Sequence, residues 1–168
     1  MAEYMHVVEV DRICTRFGDL SVHEDVSLNV RQGEIFALVG GSGCGKSTVA
    51  RLILKLLEAD SGRITYNQKE ITGLTERQMR PIRREMQIIF QDPYSSLNPR
   101  IRAGDIVREP MDLLNVGDAS LRSEKVGELF RNVGLRPEQR VLFPHQFSGG
   151  QRQRIGIARA LASQPDLI

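Results

Sequence analysis

The chain has 168 residues, 40% of them hydrophobic and 26% charged, and 23 basic against 21 acidic side chains leave a net charge of +2. This is the composition of one globular domain with a real core, and its charge is too balanced for a nucleic-acid partner. No apolar run approaches the ~20 residues that span a bilayer, and Cys14 and Cys44 alone make no disulfide framework.

The N-terminal Met1-Ala2-Glu3-Tyr4-Met5-His6 lacks a basic stretch followed by an apolar core, so no signal peptide is expected, and the reducing cytoplasm fits the cysteine usage. Val7 to Arg12 and Val26 to Val30 read as strands; in the second, Val26, Leu28 and Val30 alternate with Ser27 and Asn29. Arg31-Gln32-Gly33 turns into Glu34-Ile35-Phe36-Ala37-Leu38-Val39, an apolar run expected to be a buried parallel strand. Val49, Leu52, Ile53 and Leu56 then recur at helical spacing, so a helix begins at Lys46. Asp60-Ser61-Gly62 turns into a further strand, Arg63 to Asn67. Arg77, Arg80, Arg83 and Arg84 cluster on a short helix, either as a solvated face or as a contact for an acidic partner or lipid headgroups. Met86 to Phe90 reads as another strand.

From Asp92 to about Ala162 the pattern turns helical. Val126, Leu129, Phe130 and Val133 form a stripe within Ser120 to Val133, and Gly134 is the expected C-terminal cap. A last helix opens after Phe147-Ser148-Gly149-Gly150-Gln151, with Ser148 as N-cap, Ile155, Ala158 and Ala162 as its apolar stripe, and Gln164-Pro165 at its end. The histidines His6, His23 and His145 show no metal-ligand spacing, and His145 reads as structural.

Two glycine turns carry the chemistry. Gly40-Gly41-Ser42-Gly43-Cys44-Gly45-Lys46-Ser47 fits G-x-x-x-x-G-K-[ST] between the expected strand and helix. Glycines let successive N–H groups point at phosphate oxygens, and the helix N-terminus adds partial positive charge. Lys46 is expected to reach the β- and γ-phosphates and the Ser47 hydroxyl to bind Mg²⁺. Cys44 is either a tolerated small residue or a thiol that ATP protects from alkylation. The turn at Ser148, Gly149, Gly150 and Gln151 offers a hydroxyl, glycine N–H groups and a helix start as a second anion site.

With both turns in place the sequence resembles the ATP-binding subunits of ABC transporters, over essentially its whole length. Ser148-Gly149-Gly150-Gln151 looks like their signature motif, and the loop from Gly40 to Thr48 like their ATP-binding loop. The resemblance implies that Ser148 and its glycines meet the γ-phosphate of an ATP held by a second subunit, giving a head-to-tail homo- or heterodimer. Gln91 matches the glutamine whose carbonyl contacts Mg²⁺ and the attacking water, and Phe17 takes the place of the aromatic residue that stacks on adenine; a core-filling ring is the plainer alternative for Phe17. The run Phe90-Gln91-Asp92-Pro93-Tyr94-Ser95-Ser96-Leu97-Asn98-Pro99-Arg100 is similar to the subfamily serving oligopeptide, dipeptide and nickel importers.

The implied fold is an α/β P-loop NTPase core with an antiparallel β edge over 1–91, a helical subdomain over 92–162, and the start of a Walker B strand over 163–168. The implied partners are a second ATP-binding subunit, permease subunits and, indirectly, a substrate-binding protein, with the chain peripheral on the inner face of the membrane. Tyr94, Leu97 and nearby residues are implied by the resemblance as candidates for the permease contact. The family's Walker B aspartate, its water-polarising glutamate and its switch histidine do not occur in these residues, and Asp166 does not stand in for the first. Low turnover and poor solubility of the isolated chain are therefore expected. Two alternatives stay open: a nucleotide-binding module that does not hydrolyse, and a subunit of a related non-importer complex such as phosphonate breakdown.

Overall fold

The computed structural model describes residues 5–168, and of Pro93 and Ser95 only the backbone; Met1 to Tyr4, which carry most of the leader reading, lie outside them. The chain divides into two compact units at Arg80/Pro81.

The first unit is built on an antiparallel sheet in the order β2-β1-β3-β4. Its strands are β1 (His6–Phe17), β2 (Leu20–Arg31), β3 (Ser61–Tyr66) and β4 (Lys69–Glu70). The first two extend well past their expected ends and meet at a two-residue turn, with Phe17 opposite Leu20 and Gly18 at φ 59°. β3 and β4 join through Asn67 and Gln68, both left-handed at φ 44° and 64°, which suits a tight hairpin.

A bulge determines which residues of β1 face inward. Val8 and Val10 are buried, and so are Ile13 and Thr15, so the buried parity flips between Val10 and Ile13. Arg12 sits at that break with φ 48°, and the register against both neighbours shifts there. One extra residue moves every later side chain to the other face. Opposite it, Gly62 (φ 95°) has no room for a side chain, because a Cβ would land on the Arg12 carbonyl.

Helix α1 (Lys46–Ile53) begins at the lysine as the pattern predicts. It stops a turn early, leaving Leu56 exposed. Lys55 turns left-handed at φ 52°, its N–H reaches the Leu52 carbonyl, and the Leu56 N–H reaches Arg51 at 2.8 Å. These bonds close the end of the helix on itself. The Lys55 ammonium also donates to the Thr72 carbonyl and pairs with Glu58.

Two expected strands are not strands. Glu34 to Val39 takes no strand conformation, and Ile35 and Val39 are 98% and 86% exposed. A buried parallel strand needs hydrogen-bonded neighbours on its edges, and among the described residues 35–39 has none. Of Met86 to Phe90, only Met86 pairs, through a single parallel bridge to Leu167. The Gln87 N–H donates to the Leu167 carbonyl at 2.9 Å and the Leu167 N–H to Glu85 at 3.0 Å. Helix α2 (Glu76–Ile82) straddles the division between the units.

The second unit contains α3 (Pro93–Ser96), α4 (Ala103–Leu113), α5 (Arg122–Asn132) and α6 (Gly149–Leu161), with 3-10 turns at Pro137–Val141 and Pro144–Gln146. Val107, Met111, Phe130, Ile155 and Ala158 pack into one core, each fully out of contact with solvent. α5 ends as expected: Gly134 is left-handed at φ 73°, its N–H bonds to Arg131, and the Leu135 N–H bonds to Phe130 at 2.8 Å. No helix among the described residues is long and apolar enough to cross a membrane.

Candidate functional site: a phosphate loop and a capped glycine turn

The first unit presents the loop Gly40 to Ser47, which is open to solvent over most of its length. Gly43 and Gly45 are left-handed at φ 81° and 89°, a conformation that costs a side-chain-bearing residue about 1–2 kcal/mol. Among the described residues no side chain caps α1, so its first N–H groups stay available to an anion. The Lys46 ammonium folds back over the loop and donates to the carbonyls of Gly40 (2.9 Å) and Gly41 (2.5 Å). It also lies 3.6 Å from the Cys44 sulfur. A Cβ on Gly40 would meet that sulfur at 2.7 Å, so the thiol packs closely over the glycine.

These features suit a polyphosphate: bare amide donors, a positive helix end and an ammonium held by two carbonyls and a sulfur of its own loop, which more highly charged oxygens can replace. Ser47 is exposed beside them with a hydroxyl of the type that binds Mg²⁺ in such loops. Phe17 lies at the tip of the β1–β2 hairpin, 51% exposed. Its ring therefore does not fill the core, and a face is left for stacking.

The second unit presents the other turn. Ser148 caps α6: its Oγ accepts from the Gln151 N–H at 3.3 Å, and the Gln151 side chain accepts from the Ser148 N–H at 2.9 Å. This reciprocal box fixes the entry to the helix. Because the hydroxyl accepts in the cap, its own hydrogen remains free to be donated outward. His145 stacks on Phe143 with ring centroids 5.9 Å apart, in keeping with a structural role.

Gln91 is exposed just before α3, where the Asp92 carboxylate caps the turn by accepting from the Tyr94 N–H at 2.8 Å. Two arginines of α6 hold this turn. The Arg152 guanidinium lies over the Tyr94 ring, 4.1 Å from its centroid, and donates to the Pro144 carbonyl at 2.7 Å. Arg159 donates to the Ser96 carbonyl at 2.7 Å. Burial pushes the Arg159 guanidinium below its ordinary value, and Glu109 opposes that. The turn borders a cavity of about 550 Å³ that Tyr94, Pro99, Ile106, Glu109 and Arg159 help to line. Of the two candidates named for the permease contact, Tyr94 is 66% exposed, whereas Leu97 is packed into the helical core at 3% and offers no free surface.

Sequence reasoning missed three residues here. Arg152 and Arg159 carry no signal beyond lying on a helix. His23 read as an isolated histidine, but its ring is buried against Gly45 of the phosphate loop.

Residues 23–168 match the ABC transporter family. A probable peptide ABC transporter ATP-binding protein of Sinorhizobium fredii is 50% identical over 86% of this chain and 41% of its own length. The oligopeptide transport ATP-binding protein AppF of Bacillus subtilis is 44% identical over 91% of this chain and 47% of its own. The chain thus spans about half the length of the curated relatives it matches. Among solved structures, a dimeric ATP-binding cassette in a post-hydrolysis state with ADP and Pi superimposes with a TM-score of 0.84 at 28% identity, covering 94% of this chain and 70% of that one. The protein cbiO1 of Clostridium perfringens, part of the ABC transporter complex cbiONQ, gives 0.81 at 25% identity, covering 95% of this chain and 62% of that one. With a phosphate loop opening α1 and a capped Ser-Gly-Gly-Gln turn opening α6, the chain belongs to the ABC transporter ATP-binding family.

Proposed function

We propose that the chain is the nucleotide-binding part of an ATP-binding subunit that powers an ABC importer of peptides. The observation that carries this reading is the uncapped start of α1 with Lys46 laid across the carbonyls of its own loop, a ready receptor for the phosphates of ATP. The peptide assignment is supported by the names of the relatives, which are peptide and oligopeptide transport proteins.

In this reading the amides of residues 43–48 hold the β-phosphate, Lys46 moves from the loop carbonyls onto the β- and γ-phosphates, and Phe17 stacks on the base. Mg²⁺, with Ser47 as a protein ligand and Gln91 assigned to it by resemblance, neutralises charge on the phosphate oxygens when bound. Gln91 also senses the γ-phosphate. Ser148, Gly149, Gly150 and Gln151 belong to the nucleotide of a second copy or a related subunit, so two nucleotides close a head-to-tail dimer. ATP binding closes that dimer and hydrolysis reopens it, driving permease subunits that a substrate-binding protein supplies. The protein is accordingly peripheral on the cytoplasmic face of the membrane.

The direct test is calorimetric titration of Mg·ATP into the 168-residue chain and its Lys46→Ala variant. Binding by the unmutated chain that is lost in the variant supports the reading. Equal heats in the two overturn it.

A further inference from the structure

His23 lies on β2 opposite Thr15 and is 5% exposed. Its Nε2 is 3.1 Å from the Gly45 carbonyl oxygen. A carbonyl only accepts, so Nε2 carries the hydrogen in this contact, and in the neutral imidazole Nδ1 then has the lone pair. Nδ1 is buried, and among the described residues no hydrogen-bond partner reaches it. The ring also occupies the place of a Gly45 side chain: a Cβ there would meet the ring at Cε1 (3.0 Å) and Val22 Cγ1 at 2.9 Å. The same carbonyl accepts the first bonds of α1, from the Thr48 N–H at 2.9 Å and the Val49 N–H at 3.0 Å.

Peptide geometry gives this contact a functional consequence. In a planar trans peptide the carbonyl of one residue and the N–H of the next point in opposite directions. A ring that holds the Gly45 carbonyl therefore aims the Lys46 N–H away from β2. That amide belongs to the helix start that receives phosphate, and α1 has no side-chain cap of its own to fix it. We propose that His23 is a positioning residue of the phosphate loop, whose Nε2–H clamps the Gly45 peptide so that the Lys46 amide, and with it the α1 N-terminus, is set for the phosphates of a nucleotide. This inference rests on the nucleotide-binding reading above for its consequence, and on the His23–Gly45 contact alone for its geometry.

Three measurements on the 168-residue chain test it. Long-range ¹H–¹⁵N correlation of the imidazole is expected to show the Nε2-protonated tautomer; the Nδ1-protonated form overturns the clamp. His23→Phe fills the ring's space without a donor, and His23→Gln restores an N–H at similar reach. The loss of one neutral hydrogen bond predicts that His23→Phe weakens Mg·ATP binding by about 5- to 10-fold and speeds amide exchange at Lys46, Thr48 and Val49 by a similar factor, with His23→Gln returning both toward the unmutated values. Unchanged affinity and unchanged exchange in His23→Phe overturn the proposal. If the unmutated chain takes up no Mg·ATP, the nucleotide reading falls, and the tautomer and exchange still decide the clamp. If His23→Phe does not fold, the tautomer and the Gln variant decide it.

Discussion

Ser148 has two separable tasks, and one substitution divides them. Its Oγ accepts the Gln151 N–H at the start of α6, while on the function proposed above its hydroxyl hydrogen is donated to a phosphate of a neighbouring subunit's nucleotide. Ser148→Asp keeps the first task and reverses the second. Aspartate is as good an N-cap as serine, and its charge suits a helix N-terminus, so the stability of the chain is expected to change by less than about 1 kcal/mol. Toward phosphate the carboxylate offers no hydrogen and a repelling charge. Two unit charges at about 4 Å and an effective dielectric near 20 interact by about 4 kcal/mol. Allowing for screening, ATP-dependent association of two chains should weaken by about 10²- to 10³-fold. Ser148→Gly, which caps nearly as well and carries no charge, should fall between. The assay pairs thermal unfolding with sedimentation velocity at fixed protein and varied Mg·ATP. Association of Ser148→Asp at the ATP concentration that suffices for the unmutated chain would refute the phosphate-facing role. A variant that melts several degrees lower would refute the capping argument.

Three further outcomes follow from packing and charge. Phe130, with no exposed surface at the centre of the helical core, should cost about 3–5 kcal/mol on truncation to alanine, read as a loss of cooperative unfolding or a large shift in denaturant midpoint; a change under about 1 kcal/mol contradicts the core assignment. Asp112 accepts from the Arg122 guanidinium at 2.7 Å and from Arg108 at 2.8 Å, and these partners, Arg122 first, hold its carboxyl below the ordinary range. The stabilisation is therefore present above the ordinary carboxylate pKa of about 4 and is lost as pH falls below it, an effect small because the pair is partly exposed; Asp112→Asn should remove that small increment at neutral pH, leave the acid end nearly unchanged, and so flatten the acid limb of the stability profile. Gly62→Ala should destabilise more than Gly134→Ala although both are left-handed, because the new methyl meets backbone of β1 at Gly62 and only the end of the Arg154 side chain at Gly134; comparable melts for the two refute this ranking.

What was legible in the sequence was local. The glycine turn before Lys46, the cap at Ser148, the Gly134 terminator and the Val126-Leu129-Phe130 stripe each follow from a few neighbouring residues, and each appears where expected. Glu34 to Val39 failed for the opposite reason. Its apolar run states a preference for burial, but a strand exists only when another segment pairs with it, and no residue within the run encodes that partner. The permease-contact reading of Leu97 failed in the same way, since its neighbours describe an irregular loop while residues far along the chain bury it.

His23 shows how one local irregularity hides a functional side chain. Continuing the alternation of Val26, Leu28 and Val30 backwards places His23 on the face of Ser27 and Asn29, turned outward. Asp25, however, is left-handed at φ 56°, and the register against β1 shifts between Val26 and His23. That break turns His23 inward and delivers its ring to Gly45. The positive φ of an aspartate is compatible with its sequence but not dictated by it, because Asp tolerates the left-handed region without requiring it. A regular β2 would leave a polar ring in solvent and the Gly45 peptide without a second anchor. The irregular one spends backbone strain at Asp25 on a buried donor under the phosphate loop. Straightening that kink, with a β-branched residue such as Asp25→Val, should therefore release His23 and loosen the loop even though residue 25 touches neither phosphate nor lysine.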